Sequence, residues 1–227
     1  MSESGLQKIL VAYDGGSRAE DALALGRVLA HVADGEVTAV CCYWYEPTSA
    51  VMADELQSHG DLGHAAAERV LASVRERFGG QVQTRAVAGT SVAQTLGAVA
   101  AEEGSDVIVL GSSVRGQTNR TIPSRSAERL LHGGPCAVAL APLAYRYHAP
   151  RSFAHVAGAY CGSPESAVAV HRAAAIAEAT GARLTIISAI AEDAAMPRLG
   201  PVLDAVPTAV PVDQILADGS PDQVIID

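Results

Sequence analysis

Residues 8–20 read K-I-L-V-A-Y-D-G-G-S-R-A-E. Lys8 to Tyr13 is a short apolar run rich in β-formers, and Asp14-Gly15-Gly16 breaks it. The run therefore reads as a buried strand that ends in a tight turn. Ser17-Arg18-Ala19-Glu20 has the spacing of a capping box, with Glu20 at the third helical position. Ala19, Ala22, Leu23, Gly26, Leu29 and Ala30 follow at helical spacing. The opening unit is strand, turn, helix.

The unit recurs. Glu36–Tyr45 reads as a second strand, followed by a polar loop and a helix from about Leu62 to Phe78. Val82–Val87 is a third strand that breaks at Gly89, and Ser91-V-A-Gln94 opens a helix that stops at Gly104. Asp106–Gly111 is the most apolar strand, hence central. A polar loop from Ser112 to Pro123 leads to a helix over Ser124–His132, which Gly133, Gly134 and Pro135 end before a last strand at Cys136–Ala141. Strands alternating with helices predict an α/β fold, a parallel sheet covered on both faces.

The chain also repeats itself. Gly158-A-Y-C-G-S-P-E-S echoes Val11-A-Y-D-G-G-S-R-A at an offset of 147, which matches Tyr160 to Tyr13 and Thr185 to Thr38. Gly219-S-P-D-Q echoes Gly89-T-S-V-A at an offset of 130, so the second copy is shorter by about 17 residues in between. The Pro-rich stretch 195–211 lies there and reads as a loop. Two domains are expected, a complete one over 1–148 and an incomplete second copy of the same fold over 149–227.

The 227 residues carry 49% hydrophobic and 18% charged side chains, enough apolar content to bury a core. A net charge of −9 disfavours polyanion binding, so no nucleic-acid partner is expected, and anionic membranes are disfavoured for the same reason. No apolar run approaches the ~20 residues that span a bilayer, and the N-terminus has no signal-peptide pattern. The cysteines, Cys41, Cys42, Cys136 and Cys161, form no C-x-x-C pair, which reads as reduced thiols in a cytoplasmic protein.

Two places carry candidate chemistry. Asp14 ends the first strand, the edge at which open α/β sheets bind ligands. A carboxylate there can accept from an amine or a ribose hydroxyl, or cap the next helix. The loop Gly111-S-S-V-R-G-Q-T118, running on to Ser124-R-S126, joins Gly, Ser and a helix start into a candidate anion site, with Arg115, Arg120 and Arg125 as charge-assisted partners. Gln117-Thr118 stands where a P-loop needs Lys then Ser or Thr, which excludes a P-loop. No G-x-G-x-x-G follows any strand, and His59-G-D-L-G-His64, read as a loop, lacks the rigid frame of a metal site. No catalytic acid, base or nucleophile set can be assembled from spacing, so no enzyme is expected.

K-I-L-V-A-Y-D-G-G-S, the G-T-S at Gly89, V-I-V-L-G-S-S at Val107, S-A-E-R-L-L at Ser126 and G-P-C-A-V-A-L-A-P at Gly134 together resemble the universal stress protein (UspA) family over residues 7–142. Residues 153–227 resemble the first half of a second such domain, so the chain resembles a tandem member cut short. The resemblance implies five parallel strands in the order 3-2-1-4-5, an adenine-nucleotide alpha-hydrolase-like sheet. In the ATP-binding branch it implies an adenine nucleotide held by Asp14 at the adenosine end, with Ala12 and Cys42 against the base. That branch closes on phosphate with G-x-x-G, nine residues, then G-[S/T]. Gly111 matches the first glycine, whereas Val114, Ser124 and Arg125 depart from the other three positions. Val114 is β-branched and suits neither a positive φ nor close phosphate approach. Phosphates would need another cradle, for which Ser113, Arg115, Gly116, Ser124, Arg125 and Ser126 are the candidates.

The expected function is a stress-response or regulatory protein with one degenerate nucleotide pocket. The alternatives are an interaction module that binds no nucleotide, and a weak ATPase. In the second copy Cys161 replaces Asp14, so no ordinary nucleotide site is expected there. Strand 136–141 is fifth in the implied order, lies at an edge and carries no charge. The resemblance implies dimerisation through that strand. Because the second copy ends before a fifth strand of its own, a homodimer is expected.

Overall fold

β1 (Lys8–Ala12) is the middle strand of a five-stranded sheet, and each later strand joins it after a helix. The order along the chain is β1, α1 (Ser17–Ala33), β2 (Glu36–Trp44), α2 (Ala53–Phe78), β3 (Val82–Gly89), α3 (Val92–Glu103), β4 (Val107–Gly111), α4 (Arg125–Gly133) and β5 (Ala137–Ala141). The structure is a computed structural model that describes residues 6–45, 53–113, 121–190 and 199–219, with side chains for all but 53–59. The chain divides into two compact units, Leu6–Pro150 and a second that contains Arg151–Asp227.

In the first unit the strands run parallel in the order β3-β2-β1-β4-β5. Lys8 pairs with Glu36 on one side of β1, and Ile9 with Val107 on the other. Both faces are covered because every strand is joined to the next by a helix. On one face Leu10, Val40, Ile108 and Leu110 pack under Leu96 and Val99 of α3 and Ala127 and Leu130 of α4. On the opposite face α1 lies against β1 and β4, while α2 covers β2 and β3. Gly26 permits the approach of α1, since a Cβ there would stand 2.6 Å from the Val11 side chain.

Three local expectations change. Gly16, not Ser17, is the N-cap of α1, and its N–H donates to Asp14 Oδ1 at 2.8 Å. Glu20 is drawn away from the helix start: it accepts from the Tyr13 hydroxyl and from Arg77 at 2.6 and 2.9 Å. The ion pair gives Glu20 a stronger partner than a backbone N–H would. Arg77 holds the Glu20 carboxyl below the usual range, and burial first, then Glu20, pushes Tyr13 up. Secondly, α2 begins at Ala53 rather than near Leu62, so His59–His64 is helical and not a loop. Its glycines serve close packing: a Cβ would meet Tyr45 at 2.7 Å from Gly60 and Tyr43 at 3.2 Å from Gly63. Thirdly, Ser91 is the N-cap of α3 but makes no side-chain cap bond.

The chain beyond β5 is tied back to α1. Asp21, 1% exposed, accepts from the N–H groups of Ala144 and Arg146 at 2.9 and 3.1 Å and from the Arg146 guanidinium at 2.8 Å.

The second unit contains β6 (His155–Ala159), α5 (Pro164–Thr180), β7 (Arg183–Ile190), α6 (Gly200–Leu203) and β8 (Val212–Asp218), with the parallel order β6-β7-β8. Its first three elements begin 147 residues after β1, α1 and β2, as Lys8 and His155, Ser17 and Pro164, Glu36 and Arg183 show. Register follows the same offset, with His155 opposite Arg183 as Lys8 is opposite Glu36. β8 begins 130 residues after β3, at Val212 against Val82. The short helix α6 interrupts the stretch read as a loop, and its Val202 joins the core of Val170, Ala174, Leu184 and Ile186.

Candidate functional site

β1 and β4 are neighbours, yet the chain leaves β1 toward β2 on one side and reaches β4 from the other. That divergence opens a crevice at the carboxyl ends of the two strands. A pocket of about 260 Å³ lies there. Asp14 follows β1 and Gly111 ends β4, and both line it.

The walls come from the sheet and α3: Ala12, Val40, Cys42, Leu96 and Leu110, with Val92 nearer the mouth. Val40 and Cys42 share a strand face because side chains alternate. Burial pushes the Cys42 thiol up to about 12, with the neighbouring Cys41 adding to the shift. At neutral pH Cys42 is therefore an uncharged wall, not a nucleophile or a thiolate ligand. Asp14, Arg18, Ser112, Ser124 and Ser126 supply the polar groups.

The Asp14 turn is locally determined. Gly15 takes φ +79°, open to glycine at no steric cost, and the Gly16 N–H holds one carboxylate oxygen. Gly111 allows α1 to close on the end of β4, where a Cβ would stand 2.3 Å from the Arg18 carbonyl oxygen. Ser124 caps α4 by accepting from the Ala127 N–H at 3.2 Å.

Of the residues singled out from sequence, Ala12, Asp14, Cys42, Gly111, Ser124 and Ser126 line this one pocket. Ser113 and Arg125 do not line it. The Ser113 N–H turns away to the Ile122 carbonyl at 2.7 Å, closing the base of the loop, and Arg125 is the first residue of α4. Arg115, Gly116, Val114 and Arg120 lie outside the described residues. Arg18, Ser112, Val92 and Leu96 were not singled out. The period of two that runs through Cys42 signals Val40, and Arg18 stands one residue inside the helix that follows the Asp14 turn.

The second unit reproduces the turn with a different side chain. Gly162 has φ +86° where Gly15 has +79°, and the Tyr160 N–H bonds to Ile187 as that of Tyr13 bonds to Val40. Cys161 stands at the position of Asp14. The Ser163 N–H, then the Ser166 and Ser163 hydroxyls, lower its thiol pKa. The start of α5 thus favours negative charge at Cys161.

Among the described residues no group of three His, Cys, Asp or Glu side chains is placed to hold a metal ion, and no helix is long and apolar enough to cross a membrane.

No curated protein matches the chain. Among solved structures, a universal stress protein from Archaeoglobus fulgidus DSM 4304 is similar over 99% of this chain and 82% of its own, at 18% identity and a TM-score of 0.73. A protein from Pseudomonas aeruginosa UCBPP-PA14 assigned to the same family is similar over 99% of this chain and 78% of its own, at 19% identity and a TM-score of 0.63. At such identities the likeness is one of fold. The model of the universal stress protein family matches residues 5–142, which span the whole of the five-stranded sheet and its pocket. By that match the chain belongs to the universal stress protein family.

Proposed function

We propose that the first unit binds an adenine nucleotide in the pocket between β1 and β4, and that the protein is a cytoplasmic, non-enzymatic stress-response regulator. One observation carries the reading: Ala12, Asp14 and Cys42, the adenosine-end positions, line the same pocket as Gly111, Ser124 and Ser126 at the phosphate end. The base lies against Ala12, Cys42 and Leu96, and the free oxygen of Asp14 accepts from the base or the ribose. The second unit acts as a tandem repeat without a nucleotide site of its own, because Cys161 stands where Asp14 does.

Titration calorimetry with adenosine, AMP, ADP, ATP and cyclic AMP tests the reading. Asp14→Ala is expected to weaken binding by about 1–3 kcal/mol, the cost of a lost charged hydrogen bond, while Cys161→Ala leaves it unchanged. Equal effects from the two substitutions would exclude a single site. Trp44, the chain's one tryptophan, is exposed two residues beyond Cys42 on the same strand face, so its fluorescence offers a second readout.

A second reading, an interaction module that binds no nucleotide, is favoured by the hydrogen bonding at the end of β4. The Ser112 N–H is held by Ala141 at 2.9 Å and that of Ser113 by Ile122 at 2.7 Å, so neither is available to a phosphate. Absence of heat with all five ligands selects this reading.

The same regulator is proposed to be a homodimer through β5, the edge strand of its sheet. The Ala137 N–H bonds to Asp106 on the β4 side, so by alternation the Val138 and Leu140 N–H groups point away from β4. Val138→Pro removes an outward donor and leaves the β4 ladder its bonds. Light scattering at micromolar concentration is expected to show a dimer that Val138→Pro converts to monomer or aggregate. An unchanged dimer would place the interface elsewhere.

A further inference from the structure

A second cavity, of about 540 Å³, lies on the opposite face of the same sheet, where α2 covers the ends of β2 and β3. Side chains alternate along β2, so Cys42 turns to the first pocket while Tyr43 and Tyr45 turn to α2. The helix comes close because it carries glycine where the rings stand. A Cβ at Gly60 would meet Cδ2 and Cε2 of Tyr45 at 2.7 and 2.9 Å, and one at Gly63 would meet Cδ2 of Tyr43 at 3.2 Å. The His64 ring is turned 87° from that of Tyr43, with centroids 5.5 Å apart. Tyr43, Tyr45 and His64 thus border one cavity, Ala88 of β3 lines it beside Tyr43, and the exposed Asp61 adds a carboxylate.

The chemistry of this lining favours a cation. Aromatic faces carry negative potential, and Asp61 carries a full negative charge. Among the described lining residues there is no Lys or Arg. The sequence between the two walls, 46–59, adds Glu46, Asp54 and Glu55 and again no Lys or Arg. Asp61 and His64 gain no third metal ligand among the described residues. Rings that exclude water suit a cation with an apolar shell, because a primary ammonium would have to give up hydrogen-bonded water. The volume lies within the ~300–1,000 Å³ of common ligand sites.

We propose that this cavity binds the trimethylammonium group of a small molecule, with Tyr43 and Tyr45 as the aromatic box and Asp61 as the counter-charge. The site is separate from the pocket between β1 and β4 and does not depend on the nucleotide reading.

The test is titration of the full chain with choline, followed by protein NMR. Choline is expected to bind with a Kd of about 1 mM or tighter and to shift signals around Tyr43, Gly60 and Ala88. Dimethylbutanol, its uncharged isostere, should bind about tenfold more weakly. Tyr43→Leu and Tyr45→Leu should each weaken choline about five- to tenfold, the range of one cation–π contact. Tyr43→Phe keeps the ring and should keep the affinity, which separates a lost π face from a disturbed fold. Asp61→Asn, at an exposed position, should cost about two- to fivefold. Equal affinity for choline and dimethylbutanol, or equal losses in Tyr43→Leu and Tyr43→Phe, overturns the aromatic box. Tighter binding of a trimethyl-lysine peptide than of choline overturns the small-molecule assignment. Absence of shifts around Tyr43 at about 10 mM choline overturns the site.

Discussion

Leu96→Ala is expected to lower the stability of the first unit by about 2–5 kcal/mol, the range for truncating a fully buried leucine. Leu96 is 0% exposed and sits among Leu10, Val40, Ile108 and Leu110 under α3. Its loss removes the transfer energy of the side chain and leaves a void, because α3 is held at both ends and cannot fully collapse. The helix starts at the Ser91 N-cap and ends at Gly104 in the left-handed conformation, with the Gly104 N–H on Ala100. Leu96 also lines the pocket between β1 and β4, so the same substitution enlarges that pocket. Denaturant unfolding of the full chain, followed at Trp44 for the first unit, measures the stability change. A midpoint shift worth less than about 1 kcal/mol would mean that α3 settles onto the sheet and fills the space.

Gly111→Val is expected to damage both the fold and the site. Even a Cβ at this position would stand 2.3 Å from the Arg18 carbonyl oxygen and 2.8 Å from its carbonyl carbon. Those atoms are backbone of the first turn of α1 and have no rotamer by which to move aside. Either β4 or the start of α1 must shift, at about 1–3 kcal/mol for overpacking, and the shift carries Arg18 away from the pocket. Ligand affinity should therefore fall further than stability does. Gly133→Ala is the control, since no atom lies within 4 Å of a Cβ there. A Gly111→Val protein with normal affinity would show that α1 and β4 separate without consequence for the pocket.

The elements of the fold were legible because their signals are local. An apolar run closed by Asp14-Gly15-Gly16 can be a strand end whatever surrounds it, and β1 does span Lys8–Ala12. Gly104 stops α3 and Pro164 opens α5 for reasons contained in their own backbones. The α2 start failed for the complementary reason. Gly60 and Gly63 look like breakers in sequence, and only the Tyr45 and Tyr43 rings packed on them explain why glycines stand inside a helix.

The site divides along the same line. Asp14, Gly111 and Ser124 could be nominated because each ends a strand or starts a helix, and the crossover rule places such ends at one edge. Arg18, Val92 and Leu96 could not, because whether a helical side chain faces a pocket depends on how its helix is rotated against the sheet. The fate of the Ser112 and Ser113 N–H groups was equally hidden. Their partners, Ala141 and Ile122, are 29 and 9 residues away along the chain and meet them only once β5 and the loop base have closed on β4. The sequence by itself determined the alternating α/β plan, the offset of 147 between its copies and the strand end at which a ligand would sit. Tertiary structure alone decided which donors remain free there, because a hydrogen bond belongs to two segments and local sequence describes one at a time.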